Sequence, residues 1–311
     1  MIRMMKSIEG AKRDTACARE RPSRWRFAAV LLMLSLACTM TAIAQQAPQQ
    51  PAPGQKVIQS KPEYDAYMTA LKTEDANGRA EALAAFVQNY PNSVVLSDAL
   101  EQEMAAWQAA GDSGEVKKTA KRLLSLDPGN IRALGIVVAL DRVSATQGDL
   151  AALNEMCADA SGGMMAVPMW RKPENMTQTD FVSLSKLMSA LFTGAEGFCM
   201  VQNKDYSQGK KWLSQALQID PTNAQDTYEL AVADLETTPP DAIGFWYCAR
   251  AIHLSHSAAF PQDASTMEKY CKEKYTKYHG ADEGWDALVA ASGQQDAPPR
   301  DFEKQIRPAQ K

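Results

Sequence analysis

Histidine is nearly absent from this chain, with three in 311 residues, and aromatic residues make up only 7%. So few histidines leave little material for the usual metal sites, and no paired Cys-x-x-Cys or His-Glu-x-x-His spacing makes up the deficit. There is no glycine-rich phosphate loop, no nucleophile elbow, and no serine or cysteine backed by a histidine. Carboxylates are plentiful, but no pair is singled out for acid–base work. Neither catalysis nor a cofactor is expected. Few stretches alternate apolar and polar residues with β-branched enrichment, so a sheet-based fold has little support. What is present instead is an Ala-rich, 45% hydrophobic chain, and such a composition favours helices.

The first 44 residues read differently from the rest. Arg19, Arg21, Arg24 and Arg26 precede an uncharged apolar run from Phe27 to Met40, closed by Ala42-Ile43-Ala44. A basic flank, a short apolar core and an A-x-A exit describe a secretory signal peptide cleaved after Ala44. The run is shorter than the ~20 apolar residues that span a bilayer. Cys38, in Ser35-Leu36-Ala37-Cys38, offers a lipoprotein alternative, but Ser35 and Leu36 stand in the wrong order for a lipobox. Residues 1–44 hold eight of the 33 basic and three of the 37 acidic side chains, leaving 25 against 34 and a net charge of −9. Such an acidic chain without a basic stripe argues against nucleic acid and anionic membrane surfaces as partners. After Ala44 no further membrane-spanning segment is expected.

Residues 45–59 are Pro/Gln-rich and read as a flexible leader; residues 292–311 have the same character and are expected to be disordered. Between them the chain is punctuated regularly. Pro91-Asn92, Pro128-Gly129-Asn130 and Pro221-Thr222-Asn223 each close an amphipathic run. Gly111-Asp112, Gly148-Asp149 and Lys204-Asp205 stand midway between such stops. Gly can end a helix in the left-handed region, Asp caps the next one, and Pro prevents continuation. Two helices of about a dozen residues thus form each unit.

The unit Ser189–Asn223 resembles the tetratricopeptide-repeat (TPR) family, whose ~34-residue repeat has small residues where its two helices cross. Gly197 matches the family's first-helix glycine, Asp205-Tyr206 the turn, Leu213 the large apolar slot, Ala216 the second small position and Pro221 the terminal proline; Gly209 replaces an alanine and Thr193 a tryptophan. The resemblance implies an all-α, right-handed superhelical array of about five TPR-like helix pairs over 60–291. Its units are 60–93, 94–130, 131–177 with a loop inserted at Gly163–Asn175, 178–223 and 224–257, followed by a C-terminal cap over 258–291. Within that cap, 263–278 reads as a helix, and Trp285 and Leu288 are expected to pack back on the array. The Phe86–Ser93 ending looks like repeats of bacterial envelope proteins. The implied function is an exported periplasmic or secreted scaffold that binds another protein or peptide. By register, the groove would display Asp98, Gln102, Arg132, Arg142, Phe198, Gln225 and Tyr228. An outer-membrane-assembly lipoprotein, or a metal-dependent accessory protein or enzyme using the C-terminal third, is the alternative.

Several residues have competing structural readings. Cys157 and Cys199 read as buried small apolar residues. For Cys248 and Cys271 a disulfide and buried thiols stand level. His253 and His256, with Cys248, Cys271 or His279, form the only zinc candidate, against which stands a simple helix-end role. Trp107, Trp212 and Trp246 fit the inter-helix core. Trp170 lies in a Pro-bounded loop and is expected to tuck beneath it. The basic runs Lys117–Arg122 and Lys269–Lys277 read as solvated faces with local pairing.

Overall fold

The structure, a computed structural model, describes residues 56–257 and 261–309. The expected signal peptide and the leader up to residue 55 lie outside the described residues. Helices run in the order α1 (Lys61–Lys72), α2 (Ala76–Asn89), α3 (Leu96–Ala110), α4 (Ser113–Leu126), α5 (Ile131–Thr146) and α6 (Leu150–Ala166). A 3₁₀ turn, Val167–Met169, leads to α7 (Gln178–Gln202), α8 (Tyr206–Ile219), α9 (Ala224–Leu235), α10 (Ile243–Ser257), α11 (Pro261–His279), α12 (Trp285–Ser292) and α13 (Phe302–Gln305). The described residues contain no strand.

The helices begin where local chemistry tells them to. Asp75, Asp112, Asp149 and Asp205 cap α2, α4, α6 and α8, the second helices of four successive pairs, each accepting from an N–H of the first turn. Asn130 and Asn223 do the same for α5 and α9. Each cap satisfies a backbone donor that the helix start would otherwise leave unpaired. Just ahead of three of these caps, residues 111, 148 and 204 take positive φ of 84°, 94° and 62°. Glycine does this freely at the first two; Lys204 does so against its Cβ.

Neighbouring helices pack in chain order from α1 to α11, and α12 packs on α10. Helix α7 also packs on α5 and on α9, so the first helices of three successive pairs lie side by side. In the fourth pair the small residues permit close approach. A Cβ on Gly197 would lie 2.6 Å from Leu213 Cγ, and one on Gly209 2.8 Å from Val201 Cγ2. Leu213 and Ala216 are fully buried.

Three expectations are corrected here. The loop placed at Gly163–Asn175 starts later, because α6 continues through Ala166. Gly163 is helical and lies under the Phe192 ring of α7, where no side chain fits. Second, the tail from 292 is not wholly disordered: Phe302 and Ile306 are buried among α10, α11 and α12. Its Pro/Gln-rich composition hid two apolar anchors. Third, the Lys117–Arg122 run is not merely a solvated face. Lys117 reaches the fully buried Asp141 of α5, and Lys121 lies 2.6 Å from Glu155 of α6.

The helix expected over 263–278 spans Pro261–His279, and Trp285 is 1% exposed with Leu288 packed beside it. Trp170 is half-buried against Phe181, ring centroids 5.1 Å apart.

Candidate functional site

The seven residues assigned to a groove divide into two groups. Asp98 and Gln102 lie one turn apart on α3, with Arg132 opening α5; Gln102 and Arg132 are exposed. Asp98 is half-exposed and pairs with Lys56 at 2.7 Å. Ala105 and Ala109 continue the same face of α3, since residues at i, i+4, i+7 and i+11 share one side of a helix. This part of the first-helix face is open.

From Arg142, near the end of α5, onward the face is closed, which corrects the expected display of Arg142 and Phe198. Phe198 is 1% exposed and Arg142 8%. The guanidinium of Arg142 lies 5.4 Å from the centre of the Phe198 ring. Its Nη2 stands 2.6 Å from Oδ1 of Asp226 on α9. The two meet as charges without hydrogen-bond alignment, since neither atom has a hydrogen-bond partner. The Asp226 carboxylate rests on Gly194 of α7, where a Cβ would collide with it. One turn along α9, Glu229 is 4% exposed and accepts from Gln225 Nε2 at 2.9 Å. Thus α5, α7 and α9 are joined through one buried cation and two buried carboxylates.

Burial dominates the electrostatics of this cluster. It pushes the Glu229 carboxyl up to about 7, against the pull of Arg142 and Gln225. It also raises the Asp226 carboxyl, again opposed by Arg142. A buried carboxylate is costly unless paired, and one guanidinium serves two here. Farther along α9, Asp234 lies 2.5 Å from Lys210 of α8, and burial lifts its carboxyl to about 6. Asp226, Glu229 and Asp234 are each under 5% exposed, so they face the protein interior rather than a substrate.

Gln225 and Tyr228 remain half-buried. Tyr228 meets Tyr270 of α11 edge-on, centroids 5.9 Å apart. The Tyr270 hydroxyl donates to Glu236 at 2.7 Å, and Lys274 pairs with the same carboxylate at 2.7 Å. The face therefore ends in an aromatic and ionic contact with the cap.

The sequence reading missed Asp226, Glu229 and Asp234, although a signal was available. Between Lys211 and Arg250 there are six acidic residues and no Lys or Arg. Acids on α9 have no local cation within one helical turn. Partners come from other helices: Arg142 for Asp226, Lys210 for Asp234, and Lys274 for Glu236 at the end of α9.

Both cysteine pairs are joined. Cys248 of α10 bonds to Cys271 of α11, Cα atoms 5.8 Å apart. Cys157 of α6 bonds to Cys199 of α7, Cα atoms 5.9 Å apart, which corrects their reading as unpaired buried residues. The bond consumes Cys248 and Cys271 as zinc ligands. His253 packs against Gly293, and His279 Nδ1 lies 3.1 Å from the Arg307 carbonyl oxygen. Among the described residues no three His, Cys, Asp or Glu side chains are grouped to hold a metal ion, and no helix is long and apolar enough to cross a membrane. No known protein-family model matches the chain, nor does any curated protein sequence.

Proposed function

We propose that the protein is an exported helical scaffold of tetratricopeptide type. It binds another protein or peptide in the bacterial cell envelope and has no catalytic role. The repeated pattern of caps and positive-φ turns supports a repeat architecture, and the Gly197–Leu213 and Gly209–Val201 approaches support the family register. Two disulfides fit an oxidising compartment, as expected after signal cleavage at Ala44.

The observation that carries the binding reading is the open first-helix face of α3 and α5. There Gln102 and Arg132 stand exposed on successive first helices. The small side chains of Ala105 and Ala109 continue the Gln102 side of α3, and Arg132 Nη2 reaches Gln108 Oε1 of α3 at 3.5 Å. Such a face offers hydrogen-bonding groups at its edges and room for a peptide backbone along its centre. From Arg142 onward the same face is an internal joint that holds the array rigid. The test compares capture of envelope proteins by the mature protein and by a Gln102→Arg/Arg132→Glu variant. A partner present in stoichiometric amount with the native chain and lost with the variant supports the reading. An equal yield from both removes this face from it.

A further inference from the structure

Beyond Ser292 the chain is polar and proline-rich, and through residue 309 it carries two large apolar side chains, Phe302 and Ile306. They bracket α13: Phe302 opens it, and Ile306 caps its C-terminal end in extended backbone. Both are buried, 3% and 6% exposed, in the cluster built by α10, α11 and α12. Phe302 meets the Trp246 ring edge-on with centroids 5.5 Å apart.

A polar anchor precedes the apolar ones. Asp296 pairs with Arg250 of α10, whose guanidinium is buried and also donates from Nη1 to the Ser292 carbonyl at 2.9 Å. Arg250 Nε has no hydrogen-bond partner among the described residues. The end of the segment is tied by the Ala309 N–H, which donates to the Tyr278 carbonyl at 2.7 Å. A four-residue helix has no stability of its own, because nucleation alone costs more than one turn returns. Docking therefore orders α13, as a groove orders a short bound helix.

We propose that the α10–α12 face is a docking site for short segments of the form Asp-x5-Phe-x3-Ile, and that the protein's own tail occupies it in cis. The partner it fits is a different protein carrying an acidic residue ahead of a single helical turn, with an aromatic anchor at the start of that turn and an aliphatic anchor just past its end. Arg250 reads the carboxylate, and the surroundings of Trp246 read the aromatic ring. This site is separate from the α3–α5 face and does not depend on it.

A fluorescent peptide of residues 294–309 tests this against the full mature chain. Tail docking in cis lowers the apparent affinity of the wild type by the fraction of molecules whose site is free. A Phe302→Ala/Ile306→Ala chain should therefore bind the peptide at least about tenfold more tightly than the wild type. Adding Arg250→Gln should weaken that binding, and a peptide with Ala in place of its Phe should not bind. Failure of the double variant to bind the peptide, with helix content by circular dichroism unchanged, overturns the proposal. So does equal binding to wild type and variant.

Hydrogen exchange on the wild type covers the case in which the variant does not fold. Amides of Phe302–Ile306 should exchange well ahead of α10, because the tail undocks while the core stays closed. Exchange together with α10 would make the tail core rather than ligand. Tail exchange between two copies, seen as a concentration-dependent dimer, overturns the assignment of a different partner.

Discussion

Gly197 of α7 and Leu213 of α8 interlock, with Leu213 Cγ 2.6 Å from where a Cβ on residue 197 would sit. Ala216, one turn on from Leu213, is fully buried, whereas Lys211 is exposed on the opposite side of α8. Ala216→Leu should overpack this pair and cost about 1–3 kcal/mol. Lys211→Leu should change stability by less than about 0.5 kcal/mol. Urea midpoints of the two variants check both values, and a harmless Ala216→Leu would break the register of the fourth pair.

Lys204 holds φ at +62° in the turn where the second and third pairs have Gly111 and Gly148. Left-handed backbone costs an ordinary L-residue roughly 1–2 kcal/mol, and glycine returns part of that through its freer unfolded chain. Lys204→Gly should therefore raise stability by about 0.5–1 kcal/mol. A lowered thermal midpoint would show that contacts of the lysine side chain outweigh the backbone term.

Glu229 carries a pH dependence of definite sign. Its carboxyl rises from an ordinary value of 4.5 to about 7 in the fold, with Arg142, Asp226 and Gln225 around it. Between those values the native state binds more protons than the unfolded state, so stability falls as pH rises through the window. Glu229→Gln removes that loss while keeping an acceptor for Gln225. The variant should gain on the order of 1–3 kcal/mol over wild type at pH 8 relative to the difference at pH 4. Parallel pH–stability curves for the two proteins would contradict the burial of this carboxyl.

The Cys157–Cys199 bond ties α6 to α7 across 42 residues. Replacing both residues with Ala should cost about 2–4 kcal/mol by relaxing the unfolded chain. Denatured under non-reducing conditions, the mature protein should take up no thiol reagent. Labelling at Cys157 and Cys199 would restore the reading of both as unpaired.

The order of the helices was legible because their ends are written locally. Asp112, Asp149 and Asp205 cap helices in the structure as their spacing implied, and Asn130 and Asn223, read only as parts of the stops, prove to cap α5 and α9. The closure of the face at Arg142 was not legible. Whether an Arg points outward or bridges to Asp226, 84 residues away, depends on packing of three helices, and no local pattern encodes it. The cation-free stretch between Lys211 and Arg250 was the one available clue that α9 must draw charges from elsewhere. Phe302 and Ile306 were hidden differently: their i, i+4 spacing is the mark of an anchored helical turn, but proline and glutamine dominate the composition around them.

The central claim is that the open face of α3 and α5 holds a partner protein. Site-specific photocrosslinking in intact envelopes tests it most directly, with the crosslinker placed in turn at Gln102, Arg132 and Lys211. A discrete adduct of the same mass from Gln102 and Arg132, absent from Lys211, is the predicted result. Adducts from Lys211 alone, or none from Gln102 and Arg132, would contradict the claim.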